Sequence, residues 1–147
     1  MSEPGLEVLD TTLQKTHEWI NETARVAHVD HPTAYKALRA VLHALRDRLP
    51  IQEAVHFSAQ LPMLMRGLFF DGWRPANTPI KFSQQQFLSI ISESIVGVKG
   101  VDPLRITRSV FAVINHHISS GEVEKVRNVL PKDLQALWPE PLAIEMT

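Results

Sequence analysis

The sequence predicts an all-α domain: a helical bundle built from two related multi-helix halves. Three observations lead there. Apolar residues recur at steps of three and four. Proline and short polar caps punctuate the chain at helical intervals. The stretch 106–138 also matches 37–69 at a constant offset of 69 without a gap, with six of 33 residues identical. The shared pairs include Glu53/Glu122, Leu61/Leu130 and Pro62/Pro131. Two halves of about 65 residues, packed face to face and related by an approximate two-fold, would cover each other's apolar faces.

The first helix carries Leu13, His17, Ile20, Ala24 and Ala27 at helical spacing, with Asp10 as its expected N-cap. A turn follows at His28 to Pro32, where a proline in the first helical turn forfeits no hydrogen bond. The second helix places Tyr35, Leu38, Leu42, Leu45 and Leu49 on one seam, with Arg39, Arg46, Asp47 and Arg48 off it. A third runs through Glu53, Ala54, Phe57 and Leu61, and Pro62 breaks it. A short helix to about Phe70 completes a first half of residues 10–70. Residues 71–82 read as the connecting loop, with two prolines and a glycine among polar residues.

The second half spans 83–138. Ser83 and Gln86 have capping-box spacing, and Phe82 and Phe87 suit a hydrophobic staple. That helix carries Phe87, Leu88, Ile91 and Ile95 and is expected to end at Gly97. Asp102-Pro103 opens the next, with Ile106, Val110, Phe111, Ile114 and Ile118 inward. Ser119 and Glu122 repeat the capping-box spacing, Pro131 interrupts, and Asp133 to Trp138 closes the half. Residues 139–147 form a tail in which Leu142 and Ile144 could dock.

Composition narrows the function. The 147 residues suit one domain. There is no cysteine, so disulfides and thiolate metal sites are excluded, and a cytoplasmic location is expected. Net charge is −1, and neither half is basic, which counts against a nucleic-acid binder. No apolar run suits a membrane helix or signal peptide. The Walker, G-x-S-x-G and dinucleotide-binding patterns are all missing.

Histidines are the best chemical lead. His17-Glu18 begins a zinc-protease pattern, but Asn21 stands where the second ligand must be. Glu53 and His56 match the Glu-x-x-His of di-iron bundles, yet the offset equivalents are Glu122 and Lys125. His28 and His31 flank Asp30 in a turn. His116 and His117, adjacent on a helix end, are expected to point in different directions. No catalytic group, metal or cofactor is assigned on this basis. The one segment rich enough to suggest a surface is 66–75, where Arg66, Phe70, Asp71, Trp73 and Arg74 bring together residue types common at binding hot spots. Packing competes with that reading, since Trp73 could plug the bundle end.

Residues 45–75 also carry a resemblance. Leu-Arg-Asp-Arg-Leu-Pro at 45–50, Gln-Leu-Pro at 60–62, Arg66-Gly67 and the Gly72-to-Pro75 turn resemble the signature of DUF2267, a bacterial family of unknown function. Leu130-Pro131 to Pro139 is similar to the family's end. Phe69-Phe70 stands where the family often has two tyrosines. The resemblance implies a helical cytoplasmic bacterial domain and no activity. The expected role is a non-enzymatic protein-interaction or regulatory domain, acting on a protein partner or by self-association. The alternative is a small-ligand or metal-binding protein with a pocket between the halves. A helix-turn-helix within residues 38–64 ranks last, for want of a basic recognition helix.

Overall fold

The computed structural model describes residues 6–139, so the tail docking of Leu142 and Ile144 lies outside the described residues. Eight α-helices follow one another, with no strand among the described residues. They are α1 (Glu7–Ala27), α2 (His31–Arg48), α3 (Ile51–Ser58), α4 (Met63–Phe70), α5 (Gln84–Ser94), α6 (Pro103–His117), α7 (Ser120–Asn128) and α8 (Lys132–Gln135). A short 3₁₀ turn, Pro75–Asn77, interrupts the central loop.

Side-chain caps set several boundaries. Asp30 accepts the Thr33 amide hydrogen and Asp102 that of Leu104, each followed by a proline in the first turn. Hydrogen bonding from Thr33 holds the Asp30 carboxyl below its ordinary range. Ser83 and Gln86 form the full reciprocal box. Ser119 makes only half of one, because the Glu122 carboxylate turns instead to His56 and Lys125. Pro50, Pro62 and Pro131 each stand just before a helix, where the missing N–H is harmless.

α2 and α6 pack against each other at the centre, and both α1 and α5 pack against the pair. α4 rests on α1 and α2, and α3 meets α7. The core runs through this centre, with Leu38, Val41, Leu42, Leu45, Val110, Phe111 and Ile114 buried. Phe111 stacks on Trp138 with ring centroids 4.4 Å apart. The offset of 69 carries the bounds of α3 onto those of α7 at their first residue, and α4 onto α8 likewise. It also carries buried positions onto buried positions: Leu49/Ile118, Ala54/Val123, Phe57/Val126, Met65/Leu134 and Phe69/Trp138.

Several expected details differ. α1 starts at Glu7, so Asp10 sits in its first turn and Leu6 takes the cap position without a side-chain bond. Its inward face is Thr16, Trp19, Thr23, Ala24 and Ala27, whereas Leu13 and His17 are exposed. Trp19 is the largest apolar group on α1, and burying it rotates the helix away from the expected seam. Tyr35 is exposed rather than inward, while its neighbour Ala34 is buried. Arg46 is buried rather than off the seam. α5 ends at Ser94, and the chain turns through Gly97 with φ at 91°, a conformation glycine adopts without a Cβ penalty.

Candidate functional site

The residues nominated from sequence fall on both sides of one structural device. Arg46 reaches from α2 beneath the end of α4. Its Nη1 donates to the carbonyls of Phe69 at 3.1 Å and Asp71 at 2.8 Å. Nε and Nη2 donate to the two carboxylate oxygens of Asp47, at 2.8 and 3.1 Å. A buried guanidinium thus finds a carboxylate and two helix-end carbonyls, the acceptors such a charge requires. This explains the Arg46-Asp47 pair of the 45–50 segment as an anchor for the 69–71 turn.

The 66–75 segment is tied down around that anchor. Arg66 is exposed, and its guanidinium donates to the carbonyls of Ser58 and Leu61. It does not meet Asp71, which instead pairs with Arg39 at 3.0 Å. Phe70 is partly buried between Phe69 and Trp73, its ring centroid 4.8 Å from the indole. Trp73 is itself partly buried against the core, and its indole N–H has no hydrogen-bond partner among the described residues. Gly72 at φ 77° lets the chain reverse before it. Arg74 is exposed.

Beside this segment opens a cleft of about 850 Å³ between α1, α2 and α4, with Ser94 at the end of α5 also on its wall. Its walls include Tyr35, Lys36 and Arg39 of α2, Leu64, Gly67 and Leu68 of α4, and Thr16 of α1. Of the five nominated residues, Asp71 lines it. Tyr35, Ala40, Leu64 and Leu68 make much of this wall apolar, and α1 and α4 expose further apolar residues. Leu9 and Leu13 lie on the turns of α1 leading to Thr16, and Met63 precedes Leu64, all roughly half exposed. The Leu64 amide donates to Thr12 Oγ1 at 2.8 Å, which holds the start of α4 against α1. Behind the cleft, His43 donates from Nε2 to the Leu68 carbonyl at 2.8 Å. Burial there pushes the His43 pKa down, partly opposed by that bond.

The cleft escaped sequence reasoning because its walls come from four helices. The usable signal was the surplus of apolar residues at the start of α1, beyond what one buried face needs. The histidines also find partners that sequence did not assign. His56 meets Glu122 across the α3–α7 contact at 2.8 Å, and this bond holds the Glu122 carboxyl below its ordinary range. His116 and His117 do not diverge; both contact Glu22 of α1. No helix among the described residues is long and apolar enough to cross a membrane.

Comparison with known proteins gives one finding. The family model described as an uncharacterized conserved protein, DUF2267, matches residues 16–137. No curated protein matches the chain.

Proposed function

As the chain belongs to the DUF2267 family, whose description names no activity, we propose its role from its own surface: a non-enzymatic interaction domain. The α1/α2/α4 cleft seats an apolar segment of a protein partner. The observation that carries this reading is the cleft itself, open and walled by Tyr35, Ala40, Leu64 and Leu68, on helices that also expose Leu9, Leu13 and Met63. Contiguous exposed apolar surface rimmed by polar residues is characteristic of protein-binding faces. An amphipathic helix is the segment that fits, laying apolar residues along the groove. Lys36 at the rim favours a carboxylate on the partner, whereas Arg39 is already paired with Asp71. The surrounding 66–75 residues act as the frame that holds α4 in place. The missing cysteines support a reducing, cytoplasmic setting.

The reading is tested by placing a photo-crosslinking amino acid at Tyr35 in the native host. Leu104, its offset equivalent on α6, serves as control. A defined crosslinked protein at Tyr35 and none at Leu104 is the expected result. Equal labelling at both positions, or none at either, would overturn it.

A further inference from the structure

We propose that Glu22, His116 and His117 form a binding site for a divalent first-row transition-metal ion, bridging α1 and α6. Glu22 lies on α1, and the two histidines end α6. His117 Nε2 stands 2.7 Å from Glu22 Oε2, and His116 Nδ1 contacts Oε1 of the same carboxylate. One ligand atom from each residue falls within 4.8 Å of the others. Ligands about 2.0–2.2 Å from a common ion stand roughly 3–3.5 Å apart. An ion therefore needs the two Glu22–histidine contacts to widen slightly and the two histidine nitrogens, within 4.8 Å of each other, to settle at ligand spacing. Adjacent helical residues ordinarily diverge, but here the helix ends between them and the next segment. A carboxylate from a second helix offers each ring its own oxygen.

The surroundings favour a cation and hold the ligands in place. Trp19, 2% exposed, stacks on the His117 ring with centroids 4.6 Å apart and planes 17° from parallel. The indole thus fixes the imidazole plane, as supporting contacts do around metal ligands. The Glu22 side chain is 14% exposed, and that of His116 is 57% exposed, so the site has a rigid wall and an open side for water. The C-terminal end of α6 presents the negative pole of a 15-residue helix to the same place. Two neutral imidazoles and one carboxylate leave open coordination positions and match zinc, cobalt, nickel or ferrous ions. Magnesium and calcium prefer all-oxygen sites. Lys15 and Glu18 stand with Trp19 and His117 around the adjoining cleft of about 250 Å³, and their charges offset one another. A bound ion would tie the first half of the chain to the second.

The test uses the untagged full chain with zinc, and with cobalt as a spectroscopic probe. One ion per chain, with visible cobalt absorption, is expected, and a hundred-fold excess of zinc over its Kd should raise Tm by about 5–10 °C. His116→Ala and Glu22→Gln should each weaken binding at least ten-fold while the circular-dichroism spectrum stays helical. His56→Ala, at the other histidine–glutamate pair, should leave binding unchanged. Magnesium should not compete. Binding weaker than about 1 mM, or binding indifferent to His116→Ala and Glu22→Gln, would overturn the site and leave only a surface ion pair. Should Glu22→Gln fail to fold, His116→Ala, at the more exposed ligand, decides alone.

Discussion

The first half of the chain, α1–α4, and the second, α5–α8, bury side chains at matching positions but finish their surfaces differently. Val41, Leu42, Leu45 and Leu61 correspond to Val110, Phe111, Ile114 and Leu130, all buried. Even two polar ties recur: Arg66 donates to the Leu61 carbonyl, and Gln135 to that of Leu130. Packing partners exchange as well, since α1 meets α2 and α6 while α5 meets α6 and α2. These correspondences carry the offset of 69 from the sequence into burial and packing.

The divergences lie at the edges. Positions 7–14 form the exposed start of α1, whereas their equivalents, 76–83, contain Pro79 and remain loop. Tyr35, Lys36, Arg39 and Ala40 line a cleft of about 850 Å³; Leu104, Arg105, Arg108 and Ser109 line one of about 370 Å³. The second half keeps the frame and closes the groove. The first keeps the groove and adds apolar surface beside it. Matched buried positions suit a shared core, and the two halves differ in the surface around it.

The largest expected effect compares the two tryptophans at the helix ends. Trp138 is 2% exposed, stacks on Phe111 and donates from Nε1 to Asn115 Oδ1 at 2.7 Å. Trp138→Ala should cost about 3–5 kcal/mol in urea unfolding. Trp73 is only partly buried and its N–H is unpartnered among the described residues, so Trp73→Ala should cost about half as much. Equal losses would mean that Trp73 is held as firmly in the core as Trp138.

A smaller difference should separate the two polar anchors. Arg46 satisfies Asp47 and two carbonyls from a buried position, whereas Asn115 donates to the Pro139 carbonyl at 2.9 Å and accepts from Trp138. Arg46→Leu should destabilise by about 3 kcal/mol and Asn115→Ala by about 1–2 kcal/mol, measured in the same way. The reverse order would shift the dominant anchor to the second half.

A still smaller effect distinguishes His43 from Ala112, its offset equivalent, which cannot titrate. Burial lowers the His43 pKa below 6.5, so the unfolded chain binds the proton more readily. The stability linked to His43 is complete above that value and is lost as pH falls through the folded pKa. Unfolding free energy measured from pH 7.5 to 5 should therefore fall less in His43→Gln than in the parent chain. Parallel curves would show that His43 is not held neutral at the back of the cleft.

Much of this was legible in the residues. Pro32, Ser83 and Asp102 marked helix starts because capping and first-turn chemistry are local. The prolines marked the breaks, and the central seams of α2 and α6 followed from periodicity. The face of α1 was misjudged because its first turns expose Leu9 and Leu13, which periodicity counts as core. Arg46 was assigned to the surface because its acceptors lie more than twenty residues away. Glu22 and His116 are 94 residues apart, so no spacing rule could pair them. The cleft is likewise a property of four packed helices.

The most direct test fills the cleft without disturbing its frame. A Cβ added at Gly67 of α4 meets nothing within 4 Å, and the residue lines the groove. Gly67→Phe should therefore leave Tm unchanged or raise it, since glycine inside a helix costs about 1 kcal/mol. Crosslinking from position 35, repeated in the Gly67→Phe chain, should then lose the partner seen with glycine at 67. Retained crosslinking in a stable Gly67→Phe protein would contradict the assignment of the first-half cleft as the binding surface.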